Sequence, residues 1–390
     1  MRILMIGAGR DVRGGVSSVV NSYYEAGLAN KVDLTYLPTM EDGSKLHKLI
    51  VAAKAYARFG SLLKKCDILH VHMSVDASFY RKAAFIRRAH KAGKKIVIHM
   101  HGSTFDSFYL ERCNEKQKAN VREIFGMADR VIALSQDWKR FIDREVYGSG
   151  ADLGTDSNPV REWEEAGSIE NACAHGIVGA EERRESSVTS NDRVIVIYNS
   201  VNIPAPYKKD YANRNMLFLG LLGHRKGTYD LIEVLSALLN KYPDAHMYFG
   251  GDGERQQAEA LCHEKGISDR VTFLGWVRGA NKEKYLKDCS IYVLPTYHEG
   301  MPMSVLEAMA YGLVVDSTYV GGIPHIIRDG ENGLLQEAGD TDALSANLDR
   351  LLADADLRRA LGTKAVALIR EDFDVAKNLE KLLALYHELI

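Results

Sequence analysis

The 390-residue sequence predicts an α/β fold made of two successive doubly wound parallel-sheet domains. Three observations carry that prediction. Short β-branched runs alternate with amphipathic helical stretches, as βαβ units require. The alternation comes in two series, parted by a polar segment interrupted by Pro204 and Pro206. The length also exceeds what one hydrophobic core usually serves.

In the first series, RILMIG, DILHVHMS, KKIVIHMHG, RVIALS and VIVIYNS read as buried strands bounded by Gly, Ser or Asn. Between them SSVVNSYYEAGLA, KLIVAAKAYARFGSLL and FYRKAAFIRRAHKAG carry helical periodicity. The second series begins at NMLFLG and runs through HMYFGG, VTFLGW, IYVLPT and VVDSTY. The hinge is expected between IYNSVNIPAP and Asn215, giving domains at 1–205 and 206–370 and a terminal helical segment at 371–390. Residues 148–192 break the pattern. They are rich in Gly, Ser and acids, and read as an insertion in the first domain, a surface loop or a partly disordered segment, with a lid as the less favoured reading. In doubly wound sheets ligands bind at the C-terminal ends of the strands, so the search for chemistry starts there.

Composition narrows the field. The chain is 46% hydrophobic and 26% charged, with net charge −2, as ordinary soluble enzymes are. Its five cysteines are scattered, with no C-x-x-C pair, which argues against a disulfide framework or a zinc site and fits a reducing cytoplasm. MRILMIGAG reads as a strand running into glycines rather than a signal peptide, and no apolar run approaches the ~18 residues needed to cross a bilayer. Charge is unevenly spread: 45–65 and 81–95 carry Lys and Arg with no acid, whereas 152–192 is strongly acidic. An amphipathic basic segment such as 45–65 suits either an anionic membrane surface or a core-packed helix with a solvated basic face, and 81–95 is the second segment that could present a basic face to such a membrane. Nucleic acid is not expected, because no recognition fold or aromatic stacking strip accompanies the charge.

The densest candidate is YHEGMPMSVLEAMAYG, residues 297–312. Glu299 falls in a strand-to-helix loop and Glu307 inside the following helix. Pro302 sits at the first turn, and unpaired amides near Met301 to Ser304 favour an anion. Carboxylates at two depths of one crevice could grip sugar hydroxyls. Equally, they could be a capping acid and a buried salt bridge.

Together with the later GGIPHIIRDGENGLL, this stretch resembles the retaining nucleotide-sugar glycosyltransferases of family 4, and the resemblance extends over nearly the whole chain outside the acidic insertion. It implies the GT-B fold, two Rossmann-like domains facing across a cleft. It also implies that Glu299 reaches the donor sugar, Glu307 holds the ribose hydroxyls, and the amides of Gly300, Met301, Pro302's neighbour Met303 and Ser304 meet the diphosphate. LFLGLLGHRKGTYDLI, residues 217–232, looks like the family's phosphate-binding strand-loop-helix, with Lys226 on the diphosphate. Leu221 stands where the family usually has Arg, and nearby Arg225 is the expected substitute. GGDGE, with Gly251, is similar to the nucleotide-side loop. RGGVSSVV resembles the glycine loop under the donor phosphates and acceptor, placing Gly14, Gly15 and Val16 there. His101, ending HMH, is the expected contact near the reacting centre, whereas His70, His72 and His99 read as structural.

By that resemblance the chain is a metal-independent, hexosyl-transferring enzyme without a cofactor, using a UDP-sugar in preference to a GDP-sugar and a sugar or lipid-linked acceptor. Surface polysaccharide or glycolipid assembly, in the cytoplasm or peripherally at the inner face of the plasma membrane, is the expected setting. The alternatives are a non-catalytic GT-B subunit and a GT-B hydrolase or epimerase. The first draws on Leu221, and on Val314 and Asp316 where the family pattern differs.

Overall fold

The computed structural model describes residues 1–148 and 193–390, so the acidic segment read at 148–192 lies, but for its first residue, outside the described residues. The first domain holds β1 (Arg2–Ala8), β2 (Asp33–Met40), β3 (Ile68–Met73), β4 (Lys95–Met100), β5 (Arg130–Ala133) and β6 (Val194–Val196). The second holds β7 (Asn215–Leu219), β8 (His246–Gly250), β9 (Val271–Gly275), β10 (Ile291–Leu294), β11 (Val314–Thr318) and β12 (Leu334–Gln336). Every strand pairing in either sheet is parallel. The strand orders are β2-β1-β3-β4-β5-β6 and β12-β11-β10-β7-β8-β9.

These orders fix where ligands can sit. In the first sheet the chain reverses its direction of growth between β1 and β3, and in the second between β7 and β10. Each reversal splays the flanking loops apart and opens a crevice beyond the strand ends. The loops there are 9–15, after β1, and 220–227 and 295–302, after β7 and β10. Of the candidate residues, Gly14, Gly15, Arg225, Lys226, Glu299, Gly300, Met301 and Pro302 lie on them.

The helices used below are α1 (Gly15–Glu25), α2 (Lys45–Leu63), α3 (Ala77–Lys91), α4 (Gly279–Asp288), α5 (Met303–Ala310) and α6 (Val375–Glu388). Central strands are apolar throughout because helices cover both faces: Ile291, Tyr292, Val293 and Leu294 of β10 are all fully buried. Each such side chain contributes about 1.5–3 kcal/mol relative to exposure. In α5 the same logic buries Met303, Val305, Leu306 and Met309, which seat that helix on the sheet.

The last helix, α6, follows the second domain in sequence but packs on the first. Val375, Leu379, Leu382 and Tyr386 form its buried stripe, while Glu380 pairs with Lys31 and Glu388 with Arg130. Its entry is tied to the interdomain linker: Val201 N–H donates to Phe373 O at 3.0 Å, and Val375 N–H to Val201 O at 3.0 Å.

The two basic stretches separate in structure. On α2, Lys45, Lys48, Lys54 and Arg58 are exposed, and so are Leu46 at 67% and Leu49 at 68%. Ala55, Phe59 and Leu63 are the buried residues of that helix. The stretch 81–95 does not form the free basic face expected of it. Lys82 is buried, Arg87 pairs with Glu123, Arg88 donates to Tyr56 O, Lys94 to Cys66 O, and Lys95 pairs with Asp129.

Candidate active site

The floor of the second-domain crevice is built by two loops strapped together. The Tyr297 N–H and the Thr296 hydroxyl both donate to Arg225 O at 3.0 Å, and Arg225 Nη1 donates to His298 O at 3.2 Å. Gly227 makes the approach feasible. Its φ is +66°, and a Cβ there would lie 1.9 Å from Pro295 O. The strapping brings Lys226 Nζ onto Glu299 Oε1, and the two side chains retain only 12% and 10% exposure. A third loop closes from behind: Gly322 N–H donates to Gly300 O at 2.5 Å, and a Cβ on Gly321 (φ +58°) would meet Glu299 O at 1.8 Å. The GGIP glycines are thus required by close backbone approach.

Burial, and then the neighbouring Arg225, push the Lys226 ammonium down to about 7. The Glu299 carboxylate in contact with it pulls the other way, favouring the charged form. Burial also lowers the Arg225 guanidinium, though its ordinary value keeps it charged. Beside this pair α5 begins at Met303, with Pro302 as the preceding residue rather than inside the first turn. Among the described residues, the Met303 and Ser304 amides donate to no backbone carbonyl. Two donors and the positive end of a helix therefore stand next to a buried lysine, an arrangement suited to an anion.

Glu307 sits apart from that centre. Its carboxylate faces α4 and pairs with Lys282 at 2.7 Å, with about a fifth of the side chain exposed. Gly251 has a spacing role in this structure: its N–H donates to Gly275 O at 2.8 Å, and a Cβ would lie 1.7 Å from Gly220 O. Leu221 is 53% exposed at the crevice rim.

From the first domain, Gly14 (φ +148°) and Gly15 precede and open α1, which continues through Val16. A Cβ on either glycine would meet nothing within 4 Å, so their backbone borders open space. His101 N–H donates to Met73 O at 2.7 Å, and its Nε2 lies 2.8 Å from His72 Nδ1. Burial, then His70 and Lys82, push the His101 imidazole down to about 3, so it is neutral at pH 7. The 101–103 loop touches the second domain: a Cβ on Gly300 would be 3.6 Å from Ser103 Cβ and 3.9 Å from His101 O. Lys226, Glu299, Gly300 and the His101 loop are thus brought together, with Glu307 and Gly251 at the periphery.

Sequence reasoning missed the groups that clasp the domains. Arg13, beside the predicted glycines, pairs with Asp252 in the GGDGE loop and lies 5.7 Å from the Trp276 ring. Asp11 faces Arg278 at 3.6 Å. Asn199, in the middle of the YNS string, is buried and donates to Met301 O at 2.8 Å. A polar side chain just past a buried strand was the available signal for Asn199. The Arg13 pairing had none, because its partner is 239 positions away.

Two doubly wound domains whose switch points face one another define the GT-B class of architecture. The family descriptions agree with it: "Glycosyltransferase Family 4" matches residues 18–149, and "Glycosyl transferases group 1" matches residues 202–367. The chain belongs to the group 1 glycosyltransferases of family 4 type. An uncharacterized glycosyltransferase of Methanocaldococcus jannaschii is 29% identical over 204 residues, covering 47% of this chain and 51% of that protein. The chain spans about half the length of the curated relatives it matches. In fold it is similar to sucrose-phosphate synthase from Thermosynechococcus elongatus, with TM-score 0.72 and 19% identity, covering 100% of this chain and 98% of that one. It is also similar to Anabaena HepE solved with UDP and glucose, with TM-score 0.66 and 17% identity, covering 99% of each chain.

Proposed function

We propose that this protein transfers a sugar from a nucleoside diphosphate sugar to an acceptor hydroxyl, with retention at the anomeric carbon. The observation that carries the reading is the buried Lys226–Glu299 pair beside the start of α5, facing the His101 loop. In this reading the diphosphate lies on Lys226 and the Met303 and Ser304 amides, with Arg225 in support. As the sugar–phosphate bond breaks, charge grows on the leaving phosphate, and a preorganised ammonium in a water-poor site stabilises it without reorganising. A phosphate dianion beside Lys226 also restores the ammonium's preference for its proton.

Glu299 accepts hydrogen bonds from the donor sugar's hydroxyls, and the neutral His101 imidazole contacts the sugar near the reacting carbon. Glu307 takes the ribose. The acceptor hydroxyl approaches past Gly14, Gly15 and Val16 and gives its proton to the departing phosphate oxygen on the same face. No covalent side-chain nucleophile is needed, and charge on the leaving group is met by Lys226, Arg225 and the helix end without a divalent ion. A uridine donor is preferred. Binding of UDP and glucose by a fold neighbour supports that choice. Exposed Leu46 and Leu49 among the lysines of α2 support an acceptor presented at an anionic membrane surface, as in polysaccharide or glycolipid assembly.

A panel of nucleotide sugars, read out as nucleoside diphosphate release with and without lipid extract, tests the reading. Acceptor-dependent release is expected. Release without any acceptor would favour a hydrolase. Thermal stabilisation by UDP without turnover on any donor would favour the non-catalytic binding subunit that the exposed Leu221 suggests.

A further inference from the structure

Four histidines, His70 and His72 on β3, His99 on β4 and His101 just beyond it, stand on one side of the first sheet, where strand register sets His72 directly opposite His99. The rings of His70, His72 and His99 have no exposed surface. One nitrogen of each lies within 4.8 Å of those of the other two. We propose that His70, His72 and His99 form a buried site for a borderline divalent metal ion of the zinc class, separate from the sugar-nucleotide crevice.

Three features support the site. First, His72 Nε2 is fully buried and has no hydrogen-bond partner among the described residues. Unpaired buried polar atoms are uncommon in folded proteins and ask for an ion or a water. Second, His70 Nε2 and His99 Nδ1 stand 3.3 Å apart. That is long for a hydrogen bond and close to the ~3.3 Å edge of a tetrahedron whose metal–nitrogen bonds are about 2.0–2.1 Å. Third, the remaining nitrogens of two of the rings are already held: His70 Nδ1 is 2.6 Å from the Tyr386 hydroxyl, and His72 Nδ1 is 2.8 Å from His101 Nε2. Metal-ligating histidines are held in this way, by an outer partner that fixes ring and tautomer.

The site would do two things for the molecule. It joins β3 to β4 and, through Tyr386, to α6. With a metal on His72 Nε2, the His72 proton must sit on Nδ1 and be donated to His101 Nε2, which leaves the His101 proton on Nδ1. One tautomer of His101 is thereby selected.

Elemental analysis of chelator-treated full-length protein, reloaded with zinc and freed of excess by gel filtration, tests the proposal. About one zinc per chain is expected, with melting raised by several degrees over the metal-free form. His72→Gln should lose the zinc. Tyr386→Phe, which removes an outer partner, should weaken affinity about 10–100-fold. His90→Gln, on the exposed end of α3, should retain zinc like wild type. Clearly substoichiometric zinc in wild type, or full retention by His72→Gln, overturns the site. If His72→Gln does not fold, zinc-edge X-ray absorption of the wild-type protein decides. Three imidazole nitrogens at about 2.0–2.1 Å uphold the site, and a shell with fewer imidazoles overturns it.

Discussion

Lys226 donates to the Glu299 carboxylate across two loops that lie 73 positions apart in sequence and only touch because both emerge at the switch point of the second sheet. A cation and an anion held together out of water are poised to part around a ligand that carries both phosphate and hydroxyl groups.

Glu299→Gln keeps the shape and a hydrogen-bond acceptor for Lys226 but removes the charge. Turnover should fall by about 100-fold or more, while the dissociation constant for a nucleoside diphosphate, measured by titration calorimetry, changes little. Full activity would remove Glu299 from the donor-sugar site.

The low value of the Lys226 ammonium, about 7, gives donor binding a pH dependence with a definite sign. Only the protonated amine attracts the diphosphate, so affinity for a UDP-sugar, whose phosphates do not titrate in this range, should weaken as pH rises above about 7. The limit is about tenfold per pH unit, lessened to the extent that bound phosphate holds the proton. Lys226→Arg should flatten the profile, because arginine stays charged. An equally steep profile in that variant would assign the titration to another group.

Glu307 already has a partner in Lys282, so a ribose must share its carboxylate. Loss of a hydrogen bond to a charged group is worth about 1.5–3 kcal/mol, and Glu307→Ala should weaken nucleotide-sugar binding about 10–100-fold. Lys282→Ala should leave that affinity unchanged or tighten it. Wild-type affinity in Glu307→Ala would restrict this residue to a structural ion pair.

Asp316 is fully buried on β11. Asn347 Nδ2 donates to its Oδ1 at 3.2 Å, and its Oδ2 has no partner among the described residues. Burial raises its carboxyl well above the ordinary range, so the folded protein keeps a proton that the unfolded chain releases near pH 4. Stability therefore falls as pH rises above that point, by up to about 1.4 kcal/mol per unit, until the folded carboxyl ionises. Asp316→Asn should raise the melting temperature at pH 8 and change it little at pH 4. The same shift at both pH values would contradict a neutral Asp316.

For α2, reversing charge at Lys45, Lys48, Lys54 and Arg58 should abolish flotation with anionic liposomes. Each basic residue near such a surface contributes about 1 kcal/mol. Flotation equal to wild type would eliminate this helix as the anchor.

Most of the architecture could be read from the sequence, because central parallel strands are apolar on both faces. The strands that escaped notice, β2 and β12, are sheet edges. The first half of β2 alternates exposed and half-buried positions and the strand contains Pro38, while β12 has only three residues. Lys226 and Glu299 were each legible within a local motif, but their contact depends on loop strapping that no local pattern reports. The histidines read as structural for a similar reason: the register that sets His72 opposite His99 is a property of the sheet. Asp316 looked like a departure from family pattern, and its burial beside Asn347 shows that the strand position is kept while the side chain chemistry differs.

The chain passes between the domains twice, once through the linker at Val201 and once on the way into α6, and the two passages are hydrogen-bonded side by side. A single tether would leave the halves free to swivel about many axes. Two adjoining tethers gather the covalent connection into one narrow waist, so opening of the crevice must pivot there. The rim pairing of Arg13 with Asp252 then acts as the latch of a door whose hinge pin is already fixed.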